Sequence, residues 1–352
     1  MVYYIDEFPG REIKIRDKKF LYFGGTSYLG LQTDEAFQNI LIKNIKKYGT
    51  NYGASRKSNV RLSVFENAEK LLAKMVGCES SVTLSSGYLA GQFVAQYFNT
   101  PNYKLFYAPN THSALYNNYN KPYATFRVLN NAIREQLALN NKVVPVVFLD
   151  SIDFEGENYP DFTGLLSLPL DKVILIADDS HGIGIIGKDG EGIYRKLKGL
   201  NARELLVCCS LGKSYGIQAG AVFGNSVRLK QLTDTPFFGG ASPAAPASIA
   251  TFIEAQSIFN MKRKLLLSNI RLFMTSVQNI SYFRTMKAHP SFSFQDLNLT
   301  TYLEEKGFVL TNFNYPEESS SLMSRIVLSS HHTQKDIAQL AKTLNTFFSL
   351  KS

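Results

Sequence analysis

The chain has 352 residues, 45% of them hydrophobic and 19% charged, the balance of a globular protein long enough for two domains. Lys and Arg (38) outnumber Asp and Glu (29), giving +9, but they cluster only mildly, at 14–19 and 43–47, and no nucleic-acid module accompanies them. That charge suits a solvated basic surface or a preference for polyanionic small molecules such as phosphates or a coenzyme A tail. No apolar run reaches membrane-spanning length, the first residues lack signal-peptide order, and Cys78, Cys208 and Cys209 have no metal-ligand spacing. A reduced, cytoplasmic protein without a membrane span, nucleic-acid partner or metal is expected.

Residues 11–24 read as two short strands around an Asp-Lys-Lys turn, followed by the glycine-punctuated loop Gly24 to Leu31. Thr33 is expected to cap a helix whose inward face is Phe37, Ile40, Leu41, Ile45 and Tyr48, ending at Gly49. A polar loop, 49–59, leads to an amphipathic helix with Phe65, Ala68, Leu71, Leu72, Met75 and Val76 inward, stopped by Gly77. Strands and helices then alternate. Strands are expected at 81–84, 104–108, 143–149, 173–177, 205–209 and 221–224, with helices over 87–98 and from about Ser113. Pro145 is awkward for a central strand. The alternation argues for a mostly parallel sheet with helices on both faces. After Phe237-Phe238-Gly239-Gly240 the pattern changes to one long helix over about 247–277, strands near 308–313 and 325–328, and a helix from Thr333. The expected division is an N-terminal segment, 1–48, packing on a small α+β domain, 237–352, with a large domain over 49–236.

The chemistry gathers at predicted strand ends, the ligand-binding edge of an α/β sheet. Val207 to Ser210 runs into Leu211-Gly212-Lys213, which presents a lysine that is either a surface cation or a carbonyl nucleophile. Asp178-Asp179-Ser180-His181-Gly182-Ile183-Gly184 leaves another strand end, either as a polar loop or with Asp178 aimed into a site and His181 donating beside it. Ser85-Ser86-Gly87-Tyr88, at a strand-to-helix junction, could cradle an anion. His112 follows a further strand. An amine, an acid, a donor and a phosphate-type turn are the parts that pyridoxal phosphate requires.

The ordered stretches Ser27-Tyr28-Leu29-Gly30-Leu31, Ser86-Gly87-Tyr88, Thr111-His112-Ser113, Asp178 to Gly184 with Gly187, Ser210-Leu211-Gly212-Lys213, and Arg325 ahead of His332-Thr333 resemble the α-oxoamine synthase family of pyridoxal-phosphate-dependent transferases. The resemblance spans nearly the whole chain. It implies the aspartate aminotransferase fold, with a mostly parallel seven-stranded-type sheet in the large domain and a smaller α+β domain. It further implies a homodimer with active sites at the subunit interface, pyridoxal 5'-phosphate as cofactor, and condensation of a small amino acid (glycine, alanine or serine-like) with acyl-CoA or an acyl-carrier thioester, usually with loss of CO2. The same fold also hosts aminotransferases and amino-acid lyases, and a cofactor-binding protein with little turnover is a further alternative.

By the same resemblance, Lys213 would carry the cofactor as a Schiff base and shuttle the substrate α-proton. Asp178 would pair with the ring nitrogen, His181 with the phenolic oxygen, and His112 would stack on the ring. Ser86, Gly87, Tyr88 and Ser210 would bind the phosphate, and Arg325 the substrate carboxylate. The sequence departs from the family pattern at Thr26 (usually Asn), at the loop Gly53 to Asn59, at Phe65 (usually His), at Asp153 (often Ser), and at Gly239-Gly240-Ala241-Ser242-Pro243, where the family has a Ser/Thr segment that reaches a neighbouring subunit's phosphate.

Overall fold

The computed structural model describes residues 2–116, 121–154, 158–315 and 322–351. Its internal contacts divide it into a continuous unit, Asn39–Gln256, and a discontinuous one made of Met1–Gln38 with Ser257–Ser352. These limits lie apart from the expected 48/49 and 236/237: the first falls inside the helix Glu35–Tyr48, and the helix Pro246–Glu254 counts with the larger unit. Among the described residues no helix is long and apolar enough to cross a membrane.

The strands are β1 (Glu12–Ile15), β2 (Lys18–Phe23), β3 (Ser80–Leu84), β4 (Tyr103–Tyr107), β5 (Val144–Asp150), β6 (Ile174–Asp178), β7 (Glu204–Ser210), β8 (Gly220–Gly224), β9 (Arg284–Thr285), β10 (Ser291–Phe294), β11 (Phe308–Asn314) and β12 (Leu322–Val327). In the larger unit they form a six-stranded sheet in the order β3-β8-β7-β6-β5-β4, one strand short of the seven-stranded type the family resemblance implied, among the described residues. β4, β5, β6 and β7 run parallel, and β8 lies antiparallel to both β7 and β3. Pro145 is tolerated because it sits second in β5. There it faces only Lys104 of β4, and β6 joins the ladder from Val146 onward.

Side chains alternate across the sheet. On one face Val146 and Phe148, Ile174 and Ile176, Leu206 and Cys208, and Val222 pack with Phe93, Val94 and Phe98 of the helix Gly87–Phe98 in one apolar core. Burying each of these large side chains stabilises the unit by ~1.5–3 kcal/mol. The helix Ser63–Val76 ends, as the pattern predicts, at Gly77, whose φ of 80° is the left-handed conformation glycine adopts freely.

Several expectations change. Asp34, not Thr33, caps the helix Glu35–Tyr48, accepting the Phe37 N–H at 2.9 Å. On that helix Asn44 is buried while Ile45 is 37% exposed, so its inward face is rotated from the periodicity's choice. The helix expected from Ser113 is a single 3₁₀ turn, Ser113–Leu115; the rest of that expectation falls partly on 117–120, outside the described residues, and a helix follows at Phe126–Ala138. The long helix over 247–277 is two, Pro246–Glu254 and Gln256–Ser276, with the break at Ala255.

In the discontinuous unit a second six-stranded sheet runs β1-β2-β11-β12-β10-β9, and β2 pairs with β11 in parallel, from Leu21 opposite Phe308 to Phe23 opposite Leu310. The N-terminal strands thus share a sheet with the C-terminal ones. The loop before residue 31 is fastened by backbone-seeking hydroxyls: Ser329 donates to the Ser27 carbonyl at 2.7 Å and Ser330 to that of Leu29 at 2.7 Å. Gly30, at φ 55°, lies against the His331 ring, where a Cβ would come within 2.9 Å.

Candidate active site

The site in the larger unit grows from the sheet's period of two. One step beyond Phe148 and Ile176, on the same face, stand Asp150 and Asp178, opposite one another in register, with Cys208 opposite Asp178. The apolar core therefore ends in carboxyls at the carboxyl edge of β5 and β6. Ser210 lies on that face too, one pair beyond Cys208.

The two consecutive aspartates separate. Asp178 turns to the site face and accepts the Ser180 N–H at 2.8 Å. Asp179 turns to the other, where it accepts Ser151 Oγ–H at 2.6 Å and the Ile193 N–H at 2.9 Å. A Cβ on Gly182 or Gly192 would come within 2.1 or 2.2 Å of its carboxyl, so Asp179 holds the glycine loop closed around itself. Burial, only partly offset by those two hydrogen bonds, pushes its carboxyl up to about 7.

Lys213, on the turn after β7, places Nζ 2.8 Å from His181 Nε2. The turn is set by Leu211 N–H donating to Ala219 and Gly212 N–H to Ser210 Oγ. The His181 ring is also held edge-on by Phe154, at 4.8 Å between centroids. His112 is fixed twice: its backbone N–H donates to Asp150 Oδ2 at 2.9 Å, and its Nδ1 accepts the Ala114 N–H at 3.0 Å, which leaves the ring's proton on Nε2. Burial lowers its pKa, opposed by Asp178 and reinforced by Lys213, so both lie within its electrostatic reach.

The glycine turn approaches the same edge. Ser86 caps the helix Gly87–Phe98 by accepting the Leu89 N–H at 3.1 Å, and helix geometry leaves the Gly87 and Tyr88 N–H groups without intrahelical acceptors. Gly87 packs so tightly on β7 that a Cβ would stand 2.5 Å from Ser210 Cβ. Asp178, His112, His181, Lys213, Gly87 and Ser210 are thus assembled at one edge. Tyr88 is nearby in sequence but 60% exposed, and Ser86 spends its hydroxyl on the cap. Arg325 lies in the other unit, on β12 between Ser293 of β10 and Thr311 of β11, with its charge near Tyr28.

Asp150 was missed. Its signal was available, since it ends an apolar run just as Asp178 does. The departures at 53–59, 65 and 239 form one cluster. The Arg56 guanidinium lies 4.2 Å from the Phe65 ring centroid and pairs with Glu69 at 2.9 Å, while Ser55 Oγ–H donates to the Gly239 carbonyl at 2.6 Å.

A carboxylate on one strand end, an amine and two imidazoles beside it, and a helix start that admits no side chain make a donor set suited to a pyridine ring, a carbonyl and a phosphate together. No family model matches the chain. It is 24% identical over 348 residues to the 8-amino-7-oxononanoate synthase of Thermosipho melanesiensis, covering 93% of this chain and 88% of that protein. It is 26% identical over 347 residues to the Lysinibacillus sphaericus protein of the same name, covering 94% and 79%. Among solved structures it matches the serine palmitoyltransferase of Sphingomonas wittichii with a TM-score of 0.81 at 17% identity, covering 97% of this chain and 90% of that one. The 8-amino-7-oxononanoate synthase of Francisella tularensis matches at 0.69 and 18%, covering 94% and 98%. The fold is that of the aspartate aminotransferase-type transferases. Within that class the chain is similar to pyridoxal-phosphate-dependent acyltransferases of the α-oxoamine synthase family.

Proposed function

We propose that the chain condenses a small amino acid with an acyl thioester, carried on CoA or an acyl carrier, to give an α-oxoamine, with pyridoxal 5'-phosphate held by the edge of the large sheet. The observation that carries the reading is the Lys213 Nζ–His181 Nε2 contact of 2.8 Å, made beside the strand end that bears Asp178. Bound there, the cofactor supplies an electron sink for the carbanion left when the amino acid loses its α-proton or its carboxylate.

The chain's own residues supply the rest. Lys213 would be the covalent anchor of the cofactor and, when free, the base for the substrate α-proton; His181, 2.8 Å from its Nζ, would hydrogen-bond the ring's phenolic oxygen. Such general acid–base assistance contributes ~10²–10⁴-fold. Asp178 would keep the ring nitrogen protonated, and His112, with its tautomer fixed by Ala114, would stack on the ring. The N–H groups of Gly87 and Tyr88 and the Ser210 hydroxyl hold the phosphate. Arg325 takes the substrate carboxylate through its planar fork. A homodimer that completes each site from its neighbour is part of this proposal.

The test is a screen of amino acids against acyl thioesters, read by release of free thiol. Release that requires both substrates supports the condensation. Conversion of the cofactor to its amine form by amino acid alone replaces it with transamination. Borohydride reduction followed by peptide mapping should fix the cofactor on Lys213, and Lys213→Ala should abolish that adduct. An adduct on another lysine refutes the assignment.

A further inference from the structure

We infer that Asp150 is a positioning residue of this site: with Asp178 it forms a two-carboxyl unit that holds one proton at neutral pH, and it seats His112 through that residue's backbone N–H. The inference rests on the cofactor reading only for its consequence, not for its geometry.

Asp150 and Asp178 are register partners at the last pair of the β5–β6 ladder. Neighbouring strands lie ~4.8 Å apart and paired side chains share a face, so both side chains leave the same face of the sheet above the apolar Phe148–Ile176 layer, within each other's electrostatic reach. Two negative charges in that position repel strongly, and one carboxyl keeps a proton. The surroundings decide which. Each carboxyl accepts one backbone N–H, Asp178 from Ser180 and Asp150 from His112. Asp150 faces Asp178 from β6 and Asp153 from its own segment, both of which favour its protonation, against the attraction of Lys213. Tyr116 and Cys208 also lie within reach of its charge, both pushed towards their neutral forms, and His112, seated on its Oδ2, is held towards its neutral form by burial. Burial first, then Asp178, raises the Asp150 carboxyl well above the usual range.

The consequence is electrostatic. A neutral Asp150 adds no charge beside Asp178, whereas an ionised Asp150 would offer a further anion to Lys213 and His112. Its Oδ2 meanwhile fixes the backbone from which the His112 ring hangs.

The test uses cofactor-free protein, so its outcome does not depend on the acyl-transfer reading. Infrared difference spectra over a pH series should show a protonated-carboxyl stretch that persists at pH 7 and titrates away at higher pH. Asp179 contributes a band of its own, so the quantity read is the difference between wild type and Asp150→Asn. That difference should contain the alkaline component. Asp178→Asn, which keeps Asp150 intact, should lower the midpoint of that component by about one pH unit or more, a tenfold change in proton affinity. An unchanged spectrum in Asp150→Asn, or an unchanged midpoint in Asp178→Asn, overturns the proposal. In the loaded enzyme, Asp150→Asn should flatten the alkaline limb of the kcat/KM profile, whereas mere structural damage would lower it equally at every pH.

Discussion

Gly87→Ala is the sharpest probe of the phosphate turn. The added Cβ would lie 2.5 Å from Ser210 Cβ, 2.7 Å from its Cα and 2.8 Å from its N, roughly an ångström short of ordinary contact. Two of the three obstacles are backbone, so no rotamer change relieves them; either the helix start or the end of β7 must move. Overpacking of this kind costs about 1–3 kcal/mol. Against it stands a gain of about 0.4–1 kcal/mol, because alanine narrows the unfolded ensemble more than glycine does. A net loss of about 1–2 kcal/mol remains, which lowers the melting temperature of a unit of this size by about 2–8 °C. The same displacement draws the Gly87 and Tyr88 N–H groups away from Ser210, so affinity for pyridoxal phosphate should fall about tenfold or more, equivalent to about 1.4 kcal/mol. Thermal unfolding of the cofactor-free protein and an absorbance titration with the cofactor read the two effects separately. Gly53→Ala is the control, since a Cβ there meets nothing within 4 Å. Should Gly87→Ala melt and bind like Gly53→Ala, the close approach of helix start and strand end is not what shapes the turn.

Asp179 and His332 give opposite pH signatures. Because burial raises the Asp179 carboxyl to about 7 from its ordinary value near 4, its contribution to stability is full below about pH 4 and is lost as pH rises through 7, by up to ~4 kcal/mol. Urea unfolding at pH 5 and pH 8 should show a smaller decline for Asp179→Asn than for wild type, and equal declines would contradict the sign. His332 accepts the Ser329 N–H at Nδ1, lies 3.0 Å from the Tyr22 carbonyl through Nε2, and is stacked on Phe23; burial lowers its pKa to about 4. Its contribution is full above pH 6.5 and is lost as pH falls through 4, by up to ~3 kcal/mol. His332→Gln should therefore destabilise the protein at pH 7 yet flatten its acid limb in the same assay. Arg56→Lys should cost about 1–2 kcal/mol of thermal stability, through loss of its two hydrogen bonds to the Glu69 carboxylate and its stacking on Phe65.

What could be read from residues alone follows from how local each signal is. The strands of the large sheet were visible because each is a short apolar run ending in polar residues, and Gly77 stopped its helix because a left-handed turn needs glycine. The Asp34 cap was missed in favour of Thr33 because both residue types cap well and only geometry chooses between them. The break at Ala255 carries no glycine or proline to announce it. β10, Ser-Phe-Ser-Phe, was too short to stand out, and the helix Leu297–Glu305 went unread although Asp296 caps it by accepting the Asn298 and Leu299 N–H groups. At the site, Lys213, Asp178 and His181 emerged from their place at strand ends. Asp150 ends its strand in the same way, but its pairing with Asp178, a relation between residues distant in sequence, shows only in the sheet register. The same holds for Arg56 and Phe65, whose departures from the family pattern make sense only as neighbours.

The parallel pairing of β2 with β11 imposes an order on folding. Residues 39–256 are contiguous and can collapse as soon as they are synthesised, whereas residues 1–38 are made first and must wait for the strand at 308–314. Closing that pair spans most of the chain, which makes it a late and slow step. Until then the edge of β2 stays exposed, a template for pairing with other nascent chains. Its sequence, Lys-Lys-Phe-Leu-Tyr-Phe, opens with two lysines, the charges that discourage such pairing during the wait.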